Sequence, residues 1–308
     1  MKTFLVVNPR SANGQTGKRW AEISAQVGRA LGDFGHGFTQ GGMDAARITR
    51  QALLDGYECI VAVGGDGTLN EVTNGFFEDG KALNPNAALG LIPRGTGGDF
   101  RRTFGWDLEL ASSLERLRSG TTEPFDVGQL EFIDHAGQPA TRYFANIASF
   151  GVSAVVAQEV NQSSKALGGH LSFMWGTLKG LVKYSERQVR LSVDGGPEEV
   201  VSVTAVAVAN GRYFGSGMFV APDAVTHDGL FDVTIWSNYS LSDFILKSKG
   251  VYNGSHVNWK GTRRLRCRTL RAEPVDGGDV FLDVDGETPG RLPCTMTLLP
   301  GAIRLKVL

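Results

Sequence analysis

The first 125 residues alternate short apolar runs with segments of helical periodicity, and this alternation constrains the fold more than any other feature. Phe4 to Val7 reads as a buried strand, and "TGKRWAEISAQVGRAL" then places Trp20, Ile23, Val27 and Leu31 at helical spacing. "DAARITRQALLDG" repeats the helical pattern and closes on Gly56, a residue suited to a helix C-terminus. A strand from Cys59 to Val63, a glycine loop, a helix from Asn70 to Phe77, a strand from Ala87 to Pro93 and a helix from Leu110 to Arg118 complete the series. Strands that alternate with helices in this way build a parallel sheet covered on both faces.

After Glu123 the pattern changes. "FDVGQLEFID", "TRYFANIAS", "RQVRLSVDGGPEEVVSVTAVAVAN", "LFDVTIWS", "RRLRCRTLRAE", "DVFLDVDGE" and "CTMTLLPGAIRLKVL" are strand-like runs broken by turn residues. "DGGPEE" signals a hairpin. Only Val152 to Val160, Leu171 to Tyr184 and Ser242 to Lys249 read as helices. The expected fold class is therefore α/β plus β: a parallel α/β domain over residues 1–125 and a mostly antiparallel β domain over 126–308, whose last strand can return to the first domain. At 308 residues the chain has room for both. No linker or low-complexity segment separates them, which predicts halves that pack closely around a cleft.

Composition excludes several function classes. A formal net charge of −1 supplies no field to draw the chain onto nucleic acid. Three cysteines, Cys59, Cys267 and Cys294, at unrelated spacings make neither a disulfide framework nor a zinc site, and point to a reducing cytoplasm. "MKTFLVVNPR" is too short in its apolar run for a signal peptide, and no run approaches the length of a membrane span. His36, His135, His170 and His256 show no metal-like pairing.

Chemistry concentrates in "IVAVGGDGTLNEVTNGF", Ile60 to Phe76. Glycines where a parallel strand turns into a helix let a phosphate approach bare backbone N–H groups. An aspartate there repels phosphate unless it holds Mg²⁺ or accepts a proton from an attacking hydroxyl. The plainer reading is a tight turn with Asp66 capping the helix. "GQTGKRW" fails as a P-loop, because Ala12 and Arg19 stand at its glycine and hydroxyl positions, and "GTGGDF" is not a dinucleotide fingerprint.

"NPRSANGQTGK", "GGDGTLNEV" and "IPRGTGGDF" together resemble the catalytic domain of the diacylglycerol kinase and sphingosine kinase superfamily. "ANGRYFGSGMFVAPDAVTHDGLFDV" and "LDVDGE" resemble the β domain of its soluble bacterial lipid kinase branch, so the likeness runs nearly end to end. It implies a phosphofructokinase-like nucleotide-binding domain followed by a β-sandwich, with ATP and Mg²⁺ as cofactors and a lipid as the phosphate acceptor.

Residue by residue, the resemblance implies that Gly65, Asp66, Gly67, Thr68, Leu69, Asn70 and Glu71 wrap the ATP phosphates, with Asp66 central to the chemistry. Asn8, Pro9, Arg10, Ser11 and Ala12 match the Asn-Pro-x-Ser-Gly loop that touches nucleotide, with Ala12 and Asn13 preceding Gly14 here. Thr39 and Thr96 match nucleotide-contacting threonines. Asp99 matches the aspartate of Gly-Thr-x-Asn-Asp-Phe, in which Gly98 replaces the asparagine and removes its amide. Asp126 matches an aspartate at the domain junction. Glu287 corresponds to the proton acceptor, with Asp285 beside it, and Asp66 and Asp285 are its rivals for that role. Asp228, with the carbonyls of Val225 and Leu230, matches a structural Mg²⁺ site in which His227 stands where relatives often carry aspartate. Arg94, Arg101 and Arg102 flank the second loop, as phosphate or headgroup contacts or as plain surface.

The acceptor implies contact with a membrane surface from the cytoplasmic side. "TRRLRCRTLR" puts Arg264, Arg266 and Arg268 on one strand face by period-two alternation, with Arg263 and Arg271 nearby, as a lipid-facing patch or a solvated face. "GHLSFMWGTLKGLVKY" offers Phe173, Met174, Trp175, Leu178 and Leu181 to an acyl chain, or to the core. Two other readings share the loops: an NAD kinase-like enzyme, and a nucleotide-binding regulator that has lost turnover. The sequence does not name the lipid, and homodimerisation is left open.

Overall fold

In chain order the first half carries β1 (Thr3–Val7), α1 (Gln15–Lys18), α2 (Trp20–Leu31), β2 (Phe34–Phe38), α3 (Asp44–Leu54) and β3 (Cys59–Gly64). α4 (Asp66–Gly75), the two-residue strands β4 (Phe77–Glu78) and β5 (Lys81–Ala82), β6 (Ala88–Pro93), α5 (Asp99–Thr103) and α6 (Leu110–Ser119) follow. The computed structural model describes residues 1–95, 97–162, 186–239 and 241–307. Two compact units divide the chain: Met1–Val127 together with Leu299–Leu308, and Gly128–Leu298.

In the first unit β6, β3, β1 and β2 lie side by side and pair in parallel. Their central strands are continuous apolar runs because both faces are covered. Leu5, Val7, Val61 and Val63 pack in one cluster with Ile23 and Val27 of α2 and Leu114 and Leu117 of α6. Each such side chain contributes roughly 1.5–3 kcal/mol on full burial. This order puts the segments that follow β1, β3 and β6 at one end of the sheet.

α4 begins at Asp66, four residues before the helix start read from the sequence. Glycine-rich composition suggested a loop there, but packing decides the matter. Leu69, Val72 and Phe76 recur at helical spacing and are all buried, which draws the preceding turn into the helix. α3 ends as expected, with Gly56 at φ 77° donating its N–H to Leu53 O at 3.1 Å.

β7 (Thr122–Asp134) runs out of the first unit into the second. There follow β8 (Pro139–Phe144), β9 (Ile147–Gly151), α7 (Val152–Gln162), β10 (Arg187–Val193), β11 (Glu199–Val203), β12 (Ala205–Ala209) and β13 (Phe231–Trp236). α8 (Leu241–Asn253), β14 (Thr262–Cys267), β15 (Thr269–Pro274), β16 (Leu282–Val284) and β17 (Gly290–Lys306) complete the chain. β14-β13-β12-β9-β16 form one antiparallel sheet. β11-β10-β15-β17 form an antiparallel path in the other, where β7 pairs with β17 and β8.

A single apolar cluster joins the two inner faces of the second unit. Phe150, Val206, Val233 and Leu282 come from one sheet, and Leu130, Leu191, Leu270 and Met296 from the other. The fold class is thus α/β followed by an antiparallel β-sandwich, as read from the sequence. The end of β17 pairs in parallel with β6 through Arg304 and Leu305, so this strand serves both units. The three cysteines are buried thiols.

The expected arginine face is corrected by the structure. The chain turns at Arg268, so "RRLRC" lies in one sheet as β14 and "TLRAEP" in the other as β15. Asp194 fixes this corner by accepting the N–H groups of Arg268 at 2.9 Å and Thr269 at 2.8 Å. Four of the arginines are ion-paired: Arg263 with Glu199, Arg264 with Asp223, Arg266 with Asp228 and Arg271 with Glu273. Carboxylates within the same unit therefore offset the charge of these arginines, which the sequence offered as a lipid-facing patch or a solvated face. The expected helix from Leu171 to Tyr184, with its apolar side chains, lies outside the described residues. Among the described residues no helix is long and apolar enough to cross a membrane.

Candidate active site

The segments after β1, β3 and β6 interlock through side chains of short reach. Asn8 donates its backbone N–H to Val63 O at 3.0 Å, and its amide Nδ2 to Thr68 Oγ1 at 3.1 Å. Its own Oδ1 accepts the Arg10 N–H at 3.0 Å. Ser11 Oγ donates to Asn8 O at 2.8 Å and pairs with Thr16 Oγ1 at 2.7 Å. Thr39 donates its N–H to Val7 O at 2.9 Å, which places it beside Asn8 at the same end of the sheet.

Ala12 and Asn13, at φ 51° and 55°, both take the left-handed conformation, followed by Gly14 at 80°. An L-residue there bears roughly 1–2 kcal/mol of strain, against roughly 0.5–1 kcal/mol of extra unfolded-state freedom for glycine. Ala12→Gly is therefore expected to stabilise the protein by about 1 kcal/mol, read as a raised denaturant midpoint at unchanged slope. An unchanged or lowered midpoint would show that the turn is not strained at this position.

Asp66 is the first residue of α4, preceded by the extended Gly65. Its carboxylate does not cap its own helix. Oδ2 accepts the Asp99 N–H at 3.0 Å and Oδ1 accepts the Phe100 N–H at 3.3 Å, so Asp66 binds the N-terminus of α5. Burial pushes its pKa up, and the N–H groups of Asp99, Phe100 and Gly98 and the charge of Arg101 oppose that shift. Backbones meet at the same point. A Cβ on Gly95 would stand 2.8 Å from Gly65 Cα, a contact only glycine permits. Aspartate among glycines thus has a structural answer: the glycines let two loops touch, and the carboxylate locks one to the other.

The remaining residues of the loop divide by role. Gly67 is partly exposed at the helix start, and Thr68 is held by Asn8. Leu69 faces the core, and Asn70 is buried beside Asn74. Glu71 Oε2 accepts the Ala45 N–H at 3.1 Å, bracing the start of α3. Asp99 is buried with its Oδ1 3.7 Å from Arg102 Nε. Asp126 accepts the Gly301 N–H at 2.6 Å and so holds the returning end of β17. Thr96 lies outside the described residues.

In the second unit, Val284 and Glu287 exchange both backbone hydrogen bonds, at 2.8 and 3.0 Å, around Asp285 and Gly286. Both central residues have positive φ, 50° and 90°, the two-residue turn that Asp-Gly favours. Asp285 accepts three backbone N–H groups, from Ala145 at 3.1 Å, Asn146 at 3.2 Å and Ile147 at 2.8 Å. It is an anchor. Glu287 stands exposed at the end of this turn. Sequence reading missed Asn146 and Asn210, which complete the anchor. Asn146 Nδ2 donates to Tyr213 O and Asn210 Nδ2 to Ala145 O, both at 2.8 Å. Asn146 lies inside the run "TRYFANIAS" and Asn210 closes "VSVTAVAVAN", and nothing local separates them from ordinary turn asparagines.

The expected structural Mg²⁺ ligands do not fit a dication well. Asp228 Oδ1 accepts the Leu230 N–H at 3.1 Å, and Oδ2 is bound by Arg266. Arg266 also lies 3.3 Å from buried Asp232, and Arg264 joins Asp223 at 2.7 Å. Asp232 is pushed up by burial, with both arginines opposing the shift. The guanidinium of Arg266 thus already supplies counter-charge at Asp228. Val225 and Leu230 flank this carboxylate in the chain.

Two family models match successive parts of the chain. Residues 2–130 match the family described as "Diacylglycerol kinase catalytic domain". Residues 146–307 match "YegS C-terminal NAD kinase beta sandwich-like domain". A Pseudomonas aeruginosa PAO1 protein named "Probable lipid kinase YegS-like" is 30% identical over 307 residues, covering 99% of this chain and 93% of the relative. The chain belongs to the diacylglycerol kinase and YegS-like lipid kinase family. A diacylglycerol kinase of Bacillus subtilis (strain 168) is 28% identical to this lipid kinase over 291 residues, 94% of the chain and 90% of the relative. One of Mycobacterium tuberculosis (strain H37Rv) is 26% identical over 263 residues, 85% and 81% of the two chains. A crystal structure of a diacylglycerol kinase from Bacillus anthracis str. Sterne aligns with TM-score 0.71 at 21% identity, over 100% of this kinase and 97% of that chain. At that identity it speaks for the fold alone. The family makes the protein a lipid kinase.

Proposed function

We propose that this kinase transfers the γ-phosphoryl group of ATP to the hydroxyl of a diacylglycerol-like lipid. One observation carries the reading furthest. Glu287 is exposed on a turn whose neighbour, Asp285, is pinned by three backbone N–H groups. Pinning Asp285 fixes where the neighbouring Glu287 stands, which suits a carboxylate that must take a hydroxyl proton.

The lipid oxygen attacks the γ-phosphorus, the bond from that phosphorus to the ADP oxygen breaks, and the hydroxyl proton passes to Glu287. Little covalent work falls to the protein, so positioning and charge decide the rate. Gly65, Asp66, Gly67 and Thr68, at the positive end of α4, with the turn from Asn8 through Pro9, Arg10 and Ser11 to Ala12 and with Thr39, receive the phosphates. Leu69, Asn70 and Glu71 hold that helix in place from behind. Thr96 and Asp99 belong to the second nucleotide segment, and Asp126 secures the strand beside it. Mg²⁺ supplies shielding of the phosphate charge when bound. Asp66, the first residue of the helix whose N-terminus would receive the phosphates, is the carboxylate that would hold it.

The names of the Bacillus subtilis and Mycobacterium tuberculosis relatives favour diacylglycerol as acceptor. Such an acceptor calls for work at a membrane surface, with the protein peripheral to the cytoplasmic leaflet. Transfer of label from γ-labelled ATP to a panel of diacylglycerol, phosphatidylglycerol, a long-chain base and a prenol in mixed micelles tests this. Label on diacylglycerol is expected; label on another lipid would replace the acceptor, and label on none would end the proposal.

A further inference from the structure

We propose that Asp283 is a positioning residue for Glu287: its carboxyl ties the Glu287 turn, through Gly286, to Ser149 of β9 and Ser153 of α7. The proposal rests on the role given to Glu287 above. Asp283 sits in β16 directly opposite Ser149 in the strand register, with 7% of its surface exposed. Its Oδ1 accepts the Gly286 N–H at 2.9 Å, the one backbone donor inside the turn that separates Asp285 from Glu287. Its Oδ2 lies 3.5 Å from Ser149 Oγ, which in turn lies 2.9 Å from Ser153 Oγ in the first turn of α7.

The hydroxyl of Ser149 has a single hydrogen, and its shorter contact is to Ser153. Ser149 Oγ stands between Ser153 Oγ and Asp283 Oδ2, so one hydroxyl links α7 to the carboxyl. Burial pushes the Asp283 carboxyl up to about 7, and Asp285 and Glu287 push the same way, against the Gly286 N–H and Ser149. β9 carries no charged residue, and the first turn of α7 no acidic one, so neither adds a charge to those of Asp285 and Glu287. A neutral Asp283 spares Glu287 a buried negative neighbour while holding the turn rigid. Environments that drive nearby carboxylates apart are how one site keeps a base ionised beside an acid.

Two variants test the assignment. Asp283→Ala removes both contacts and is expected to lower kcat about tenfold or more, with KM for ATP within about twofold, since the nucleotide residues lie in the other unit. Asp283→Asn keeps an oxygen for Gly286 and an N–H for Ser149, and is expected to recover most of the lost kcat. Wild-type kcat falls as pH rises through about 7, and this limb is absent from Asp283→Asn. An asparagine variant no better than alanine, or one with the wild-type limb, overturns the proposal.

Melting curves judge it without reference to activity. A carboxyl raised from 3.8 to about 7 on folding stabilises the native state below the lower value, and loses that contribution as pH rises through the upper one. The wild-type Tm should therefore fall relative to Asp283→Asn between about pH 4 and about pH 7, and run parallel to it above about pH 8. Parallel curves count against the strut even if the kinase is active. Full activity in Glu287→Gln removes the role of Glu287 as base, whereas the Tm comparison still decides whether Asp283 holds the turn.

Discussion

Asp66→Asn is expected to lower lipid phosphorylation by about a thousandfold, the scale seen when a preorganised charge is removed from a transfer site. The substitution changes little in volume but reverses the hydrogen-bond logic. Two oxygens of Asp66 accept the N–H groups that open α5 at 3.0 and 3.3 Å. An asparagine keeps one acceptor and turns an NH₂ toward the other donor, leaving a buried N–H unpaired at a cost of about 1–3 kcal/mol. The loop after β6 then loosens from the glycine loop. The same change removes the negative charge suited to Mg²⁺. Single-turnover transfer from ATP reads the first effect, and ATP binding reads the second. Near-normal transfer in this variant would show that Asp66 is only a splice between loops.

Glu287→Gln and Asp285→Ala should separate in kind. The glutamine variant keeps its exposed position and its turn, so its Tm should match wild type while kcat falls by about 10²–10⁴, the usual worth of a general base. Asp285→Ala strands three N–H groups that open β9, each worth about 1–3 kcal/mol if unpaired, so this protein should melt early as well as react slowly. Equal losses of Tm in the two variants would contradict the split between anchor and base.

The parallel sheet was legible because its strands are buried on both faces and read as unbroken apolar runs, such as Ile60 to Val63. The glycine loop was legible because few other functions need three glycines around an aspartate. What Asp66 binds was not: its partners lie 33 and 34 residues further on, and their N–H groups leave no mark in composition. Asp285 read as a rival base because its chemistry suits one, yet its anchoring donors lie 138 to 140 residues earlier. Arg266 looked available to lipid for a related reason. Alternation predicts which face a residue takes but says nothing of Asp228, 38 residues away. Asp283 passed as an ordinary strand position until its burial and its serine partners were visible.

The most direct measurement compares wild type, Asp66→Asn and Glu287→Gln for ATP affinity and for label transfer to diacylglycerol, side by side in one micelle preparation. The account predicts that Glu287→Gln binds ATP like wild type yet transfers about 1% as fast or less, and that Asp66→Asn fails in transfer too. Wild-type transfer rates in Glu287→Gln, with ATP bound normally, would contradict it.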